Sequence, residues 1–144
     1  MQELGTSRDE MNDTNKAPWV YVADGIQFKL VKAFEDESGW ISLLRLKPGT
    51  VVGPHRHSGE VHGFVLQGTR KLMDGTVCGA GSYVYEPAGN VDTWSASGDE
   101  DLISMFHVVG SVEYIGDDGE VTFRETTASK VSNWAKGLAE NASR

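Results

Sequence analysis

The sequence has few of the features that mark several large classes of protein. It contains a single cysteine, Cys78, so it can form no intramolecular disulfide and no cysteine-rich zinc site. Only 13 lysines and arginines stand against 21 aspartates and glutamates, for a formal net charge of -8. This balance argues against a nucleic-acid backbone or an anionic membrane surface as the partner.

Long apolar segments and nucleotide-binding loops are also missing. No apolar run approaches the ~20 residues of a membrane span, and the N-terminus lacks the charged-then-apolar layout of a signal peptide. We therefore expect a cytoplasmic protein without a membrane partner. No glycine-rich turn lies between a strand and a helix, so we expect neither a flavin nor a nicotinamide cofactor.

The sequence does have a regular rhythm of short strands. Runs rich in β-branched and aromatic residues, such as "WVYV" and "DLISMFHVV", alternate with turns that contain glycine or proline. This pattern predicts roughly nine or ten strands in one all-β sandwich or barrel. Only "SKVSNWAKGLAENA" has helical spacing. We divide the chain into a flexible arm over 1–16, a barrel over 17–126 and a C-terminal helix within 127–144.

Three of the four histidines lie in one stretch, "GTVVGPHRHSGEVHGFVLQG". His55 and His57 are separated by one residue, so in a strand both side chains point to the same side and could bind one metal ion. His62 follows Val61 directly and points to the opposite side from it. If Val61 points inward, His62 points away from the metal, whereas a bulge at the start of the strand would make His62 a third ligand.

Two motifs resemble those of the cupins, which are small jelly-roll barrels. The first cupin motif is Gly, five residues, His-x-His and a closing Gly, and here Gly49 and Gly68 bracket "HRH" at the matching spacing. The stretch "GSYVYEPAGNVD" resembles the second motif, with Gly81, Pro87 and Gly89 in place. The resemblance implies an all-β, single-domain cupin, a double-stranded β-helix or jelly roll, with a short C-terminal helix.

Two positions depart from the usual cupin ligands. Val61 takes the place of the glutamate in the first motif, and Asp92 takes the place of the histidine in the second. The chain is most similar to the 2,4'-dihydroxyacetophenone dioxygenase and acetylacetone dioxygenase group, which lacks the glutamate and binds iron through three histidines. Two histidines and one carboxylate also suit non-haem Fe(II). We expect His55 and His57 to bind the metal, with either Asp92 or His62 completing the site.

Other side chains near the motifs are candidates for the surroundings of the metal. Glu60 is expected to be solvated or to accept a hydrogen bond from a ligand imidazole. His107 is interpreted as a hydrogen-bonded core residue, with a pocket-lining acid or base as the alternative. The aromatic candidates for an apolar pocket wall are Phe64, Tyr85 and Trp94. No catalytic residue beyond the metal ligands is expected.

The resemblance implies a metal-dependent cupin that acts as a non-haem Fe(II) dioxygenase and cleaves a C–C bond next to a carbonyl in a small diketone or hydroxyketone. The expected cofactor is one divalent transition metal ion, Fe2+ if the protein is catalytic, with Zn2+ or Ni2+ as alternatives. The rival hypothesis is a zinc-binding sensory cupin, or one that binds a small ligand without catalysis. The polar N-terminal arm and the open edge strands of a sandwich favour a homodimer.

Overall fold

The computed structural model describes residues 9–142, which form two facing six-stranded antiparallel sheets and one C-terminal helix. The strands are β1 (Val20–Ala23), β2 (Ile26–Ala33), β3 (Gly39–Leu46), β4 (Val51–His57), β5 (Val61–Gln67), β6 (Thr69–Lys71), β7 (Val77–Cys78), β8 (Tyr83–Glu86), β9 (Val91–Ser97), β10 (Leu102–Val109), β11 (Val112–Ile115) and β12 (Val121–Glu125), and the helix is α1 (Thr127–Ala142).

The strand order is that of a jelly roll. One sheet, called here the first sheet, runs β1-β2-β3-β10-β5-β8, and the second sheet runs β12-β11-β4-β9-β6-β7. Strands that are distant in sequence are therefore neighbours, as in β10 between β3 and β5. The expected all-β cupin architecture is confirmed. The strand number exceeds the expected nine or ten because several strands are very short, such as β7 with 2 residues.

Alternation of side chains builds the core. Along β10, every second residue from Leu102 is buried and the intervening residues face outward, as the period of two in a strand requires. The same alternation along β9 buries Asp92, Trp94 and Ala96. The buried apolar cluster between the sheets comprises Trp40, Leu46, Val52, Val61, Val65, Cys78, Trp94, Ala96, Leu102, Phe106, Val108 and Val112.

The helix packs against β1, β2 and β3 of the first sheet. Its first turn is closed by reciprocal hydrogen bonds between Thr126 and Ser129, which satisfy backbone N–H groups that a helix start leaves open. Trp134 packs on Phe28 with ring centroids 5.5 Å apart. Gly137 lies directly on β1, since a Cβ there would be 1.9 Å from Val20. No helix among residues 9–142 is long and apolar enough to cross a membrane.

The described part of the N-terminal segment lies along β2. Lys29 donates a hydrogen bond to the carbonyl of Thr14, within a 3-10 turn over Thr14–Lys16. Asn12 donates to the carbonyl of Val31. The remainder of the predicted arm, residues 1–8, lies outside the described residues.

Candidate metal centre

Strand β4 carries His55 and His57 into the space between the sheets. Both side chains are buried, and their ring centroids are 4.8 Å apart. The pairing of β4 with β9 is interrupted between Val52 and His55, where the chain passes through Gly53 and Pro54. Beyond this irregularity the alternation resumes, so both histidines reach the same face.

The ring of His55 has one nitrogen available for a ligand. Its Nδ1 lies 2.7 Å from the carbonyl oxygen of Gly53, which fixes Nδ1–H as the donor and leaves Nε2 with its lone pair. Burial lowers the pKa of His55. The neutral imidazole, the form that binds metal ions, is therefore favoured.

Glu86 brings a carboxylate to the two histidines. One ligand atom from each of His55, His57 and Glu86 lies within 4.8 Å of the others, and within residues 9–142 no other group of three potential ligands meets this condition. Glu86 ends β8, directly opposite Val61 of β5. Where cupins carry a glutamate this chain has Val61, and the carboxylate enters the same space from the neighbouring strand.

Several atoms of this triad, His55, His57 and Glu86, are buried without a hydrogen-bond partner. Within the described chain, neither ring nitrogen of His57 is hydrogen-bonded, nor is Oε1 of Glu86. His57 Nε2 and Glu86 Oε1 are 3.3 Å apart. Leaving such groups unsatisfied costs about 1 to 3 kcal/mol each. A cation bound between them would satisfy both atoms, so the residues fit a metal ion.

A buried arginine lies behind the triad. Arg70 is 0 % exposed, and its Nη2 donates to Glu86 Oε2 at 3.4 Å and lies 3.8 Å from Asp92 Oδ2. Its guanidinium carbon is 4.4 Å from the ring centroid of Trp94 and 5.2 Å from that of Phe106. The two rings are themselves stacked, with centroids 5.4 Å apart, and a planar cation packed against such a pair is held in one orientation. Arg70 therefore fixes the position of the Glu86 carboxylate.

The two buried carboxyl groups have opposite pKa shifts. Burial and the neighbouring Glu86 raise the pKa of Asp92 to about 7. Burial also acts to raise the pKa of Glu86. Hydrogen bonds from His57 and Asp92, together with the positive charge of Arg70, have a larger effect and lower that pKa to about 2. Glu86 is thus the carboxylate that stays ionised, whereas Asp92, which pairs with His55 across β4 and β9, retains its proton more readily.

His62 and Glu60 lie on the outer face of the first sheet, away from the triad. Val61 is 1 % exposed and points inward, so the next side chain points outward. His62 Nδ1 is 2.5 Å from the Tyr83 hydroxyl, and its Nε2 is 3.1 Å from Glu60 Oε1. Tyr85 donates a hydrogen bond to the other oxygen of Glu60. These residues form a separate surface cluster.

The remaining predicted pocket residues are divided between the two faces. Trp94 is buried beside the triad. His107 pairs with His62 across β10 and β5 on the outer face, with ring centroids 5.9 Å apart. Phe64 and Tyr85 are also on this face and largely exposed. Among the predicted neighbours of the metal, only Trp94 contributes to the inner cavity.

A cavity of about 70 Å³ borders the triad. Its walls are mostly apolar and include Trp40, Val61, Trp94, Phe106 and Val108. Such a lining excludes water and suits a small ligand with few charges. Polar side chains reach the cavity from the triad and from Glu125 and Lys130.

Sequence reasoning assigned no role to Glu86, although it lies near the second motif, and did not single out Arg70 or Lys130. The signal for Glu86 was present in "YVYEPAG": alternation places the glutamate on the opposite side from the two tyrosines, and the neighbouring Val61 leaves space for it. What the sequence lacked was the cross-strand register that brings β8 next to β5. Arg70 and Lys130 carry no comparable local signal, because charged side chains in short strands and helices are usually solvated.

Solved structures with similar folds include two bacterial proteins that match along most of the chain. An RmlC-like cupin from Ralstonia eutropha superposes with a TM-score of 0.83 at 25% identity, covering 90% of this chain and 86% of its own. An acetylacetone dioxygenase from Acinetobacter johnsonii superposes with a TM-score of 0.78 at 18% identity, covering 95% and 96%.

A regulatory protein is also similar. The anti-sigma factor ChrR of Rhodobacter sphaeroides, solved with SigE, superposes with a TM-score of 0.58 at 21% identity, covering 67% of this chain and 50% of that one. No curated protein matches the sequence significantly. The model of the ChrR Cupin-like domain matches residues 7–113. With its jelly-roll fold and this match over most of its length, the chain belongs to the ChrR Cupin-like domain family.

Proposed function

We propose that His55, His57 and Glu86 bind one divalent transition metal ion. The observation that carries this proposal is the convergence of buried nitrogen and oxygen atoms that have no hydrogen-bond partner in the described chain. Asp92 then acts behind the triad, sharing its proton with Glu86 rather than binding the metal. His62 has no part in the site because its nitrogens already have partners.

The proposed activity is that of a non-haem Fe(II) dioxygenase that cleaves a C–C bond next to a carbonyl in a small diketone or hydroxyketone. The likeness to acetylacetone dioxygenase supports it, as does the combination of two histidines with one carboxylate. A bound Fe(II) ion would supply Lewis acidity and redox chemistry. The protein would supply a dry apolar cavity, a neutral His55 and an ionised Glu86 held by Arg70.

Oxygen uptake tests this activity directly. Fe(II)-loaded protein should consume oxygen with acetylacetone or 2-hydroxyacetophenone, and Glu86→Gln should lose most of that rate. Glu60→Gln, on the outer face, is the matched control and should keep the rate. Uptake that is absent with every ketone, or unchanged in Glu86→Gln, would contradict the proposal.

Membership of the ChrR Cupin-like domain family favours a second candidate, a zinc-binding regulatory cupin. This function uses the same triad but requires no turnover. Protein that retains one Zn2+ per chain after expression without added metal, and consumes no oxygen after loading with Fe(II), would favour this candidate over the dioxygenase.

We also propose that the protein forms a homodimer through the outer face of its first sheet. Phe64, Tyr83, Tyr85 and Met105 are 39 to 57% exposed there, and strand register aligns Tyr83, Phe64, Met105 and Leu43 in one apolar row. This row contains no carboxylate, so two copies of a chain with net charge -8 can meet there with little repulsion. A second copy is therefore the proposed partner of this face.

Light scattering at micromolar concentration should give twice the mass of the 15.7 kDa chain. Met105→Glu should halve that mass, because it would bury a charge in the interface. Val121→Glu changes an exposed valine of the second sheet and should leave the dimer intact. A monomeric wild-type protein would contradict the proposal.

A further inference from the structure

A second polar group reaches the cavity from the C-terminal helix. Lys130 lies in the first part of α1 and is only 7% exposed. Its Nζ is 4.0 Å from the ring centroid of Phe28 and 6.0 Å from that of Trp40. Within residues 9–142, no carboxylate lies within 4.0 Å of this ammonium group and no acceptor hydrogen-bonds it. A ligand that enters the cavity without offering an acceptor would remove water from this ammonium group at a cost.

Glu125 is the nearest source of compensating charge. It ends β12, is buried, and accepts a hydrogen bond from Ser129 Oγ at 3.2 Å. Burial lowers the pKa of Lys130, and the negative charge of Glu125 offsets part of that effect. The two side chains thus form a pair without net charge whose members do not contact each other directly.

This pair lies where two cavities meet. Lys130 and Glu125 line the 70 Å³ cavity beside the triad and also a neighbouring cavity of about 400 Å³. The larger cavity is walled mainly by apolar side chains, among them Ile26, Val51 and Phe123. A ligand that extends from the inner cavity into the larger one therefore lies beside the ammonium group and the carboxylate.

We propose that Lys130 and Glu125 select ligands that carry a hydroxyl group remote from the metal-binding end. This inference rests on the proposed function, because it places the ketone end of the ligand at the triad. The hydroxyl oxygen accepts a hydrogen bond from Lys130 Nζ, and the hydroxyl proton is donated to the Glu125 carboxylate. One neutral group thereby satisfies both members of the pair.

A carboxylate in the same place is disfavoured by charge. It would add a negative charge next to Glu125 within an apolar cavity, and a buried pair that is already neutral cannot compensate a third charge. A purely apolar group would leave the ammonium without an acceptor. Lys130 and Glu125 therefore favour ligands with a hydroxyl group over those with a carboxylate or an apolar group at this position. Neither residue is required to contact the reacting carbonyl.

Binding of matched diketones to Zn2+-loaded protein tests the inference without turnover. The probes are 1-phenylbutane-1,3-dione and its 3-hydroxyphenyl and 4-hydroxyphenyl analogues, which differ only in the remote hydroxyl. By isothermal titration calorimetry, wild-type protein should bind the better hydroxylated analogue about 10-fold more tightly than the parent, the effect of about one buried hydrogen bond to a charged group.

Lys130→Met should abolish this preference while leaving the affinity for Zn2+ unchanged. Lys136→Met, an exposed lysine on the same helix, is the matched control and should retain the preference. Because Lys130→Met leaves Glu125 buried alone, the double variant Lys130→Met/Glu125→Leu removes both charges together and should show the same loss in a stably folded protein.

The outcomes separate this inference from the proposed function. If wild-type protein binds all three diketones equally, and His57→Ala abolishes that binding, the triad stands and the role of Lys130 and Glu125 is overturned. A preference that survives in Lys130→Met also overturns it. If Zn2+-loaded protein binds none of the diketones, both proposals fail.

Discussion

The molecule contains two pairs of histidines, one on the inner face of the second sheet and one on the outer face of the first sheet. The two pairs differ in the groups that surround their ring nitrogens. His55 and His57 lie inside, near an ionised glutamate. Within the described chain both ring nitrogens of His57 lack a hydrogen-bond partner, and His55 keeps Nε2 because only its Nδ1 is bonded, to a backbone carbonyl. His62 and His107 lie outside, also near a glutamate, but His62 is already bonded through both nitrogens. Proximity of histidine to carboxylate is therefore common to both pairs. Among residues 9–142, however, only the inner pair lies beside a buried carboxylate oxygen without a hydrogen-bond partner, Oε1 of Glu86.

The difference arises from strand alternation and from burial. A single step along the chain, from Val61 to His62, changes the side chain from the inner face to the outer face. On the outer face the Tyr83 hydroxyl and the Glu60 carboxylate already satisfy both nitrogens of His62, so a cation would have to displace them. On the inner face, unsatisfied atoms make metal binding favourable.

The largest effect is expected from removing an inner histidine. His57→Ala should lower the affinity for Zn2+ by more than about 100-fold, exceeding the loss typical of residues that only support a ligand. His107→Ala removes an outer histidine and should leave the affinity unchanged. Competition with a chelating dye measures both variants, and equal losses would remove the distinction between the two pairs.

A smaller effect is expected from the inner carboxylate. Glu86→Gln keeps the size of the side chain but removes its charge, and should lower the affinity for Zn2+ by about 10- to 100-fold. Glu60→Gln makes the same change beside the outer histidines and serves as the control. If Asp92→Asn weakened Zn2+ binding more than Glu86→Gln, Asp92 would be the ligand.

The metal-free protein should also depend on pH through Asp92. The pKa of Asp92 is about 7 in the folded chain against an ordinary value of 3.8, so the folded state binds this proton more tightly than the unfolded state. The associated stability is complete below pH 3.8 and is lost as the pH rises through 7. Asp92→Asn should therefore raise the melting temperature by a few degrees at pH 8, and less at pH 5. A difference independent of pH would contradict this account of the Glu86–Asp92 pair.

The smallest effect is expected at the outer pair. Tyr83→Phe removes the hydroxyl that contacts His62 Nδ1, at a site where water can replace it. The affinity for Zn2+ should stay within about twofold of the wild-type value, because only partners of an actual ligand tune a metal. A larger change, measured in the same dye competition, would couple the outer face to the triad.

The sequence predicted those features of the site that follow from side-chain alternation within a single strand. Spacing alone placed His55 and His57 on one face, and alternation linked an inward Val61 to an outward His62. Glu86 could not be placed in this way, since its position opposite Val61 depends on the pairing of β8 with β5, two strands that β6 and β7 separate in the chain. Asp92 was considered for its place in a motif, while the burial and charge that distinguish it from Glu86 arise only in the folded barrel.

For the helix, too, the sequence predicted the element but not its packing. Its existence followed from hydrophobic spacing, but the entry of Lys130 into the barrel depends on how α1 packs across β1 and β2. Phe64 and Tyr85 were expected to line the pocket because they are aromatic and lie in strands. Their outward orientation follows by alternation from the inward positions of Val61, Val65 and Glu86, and the fold decides which face of β5 and β8 is the inner one.

The central claim is that the inner triad binds the metal through Glu86. An anomalous-difference map from crystals grown with Zn2+ tests it most directly. We expect one strong peak about 2.0 to 2.2 Å from His55 Nε2, a ring nitrogen of His57 and a carboxylate oxygen of Glu86. A peak at His62 and Glu60, or one bound by Asp92 with Glu86 turned away, would contradict it.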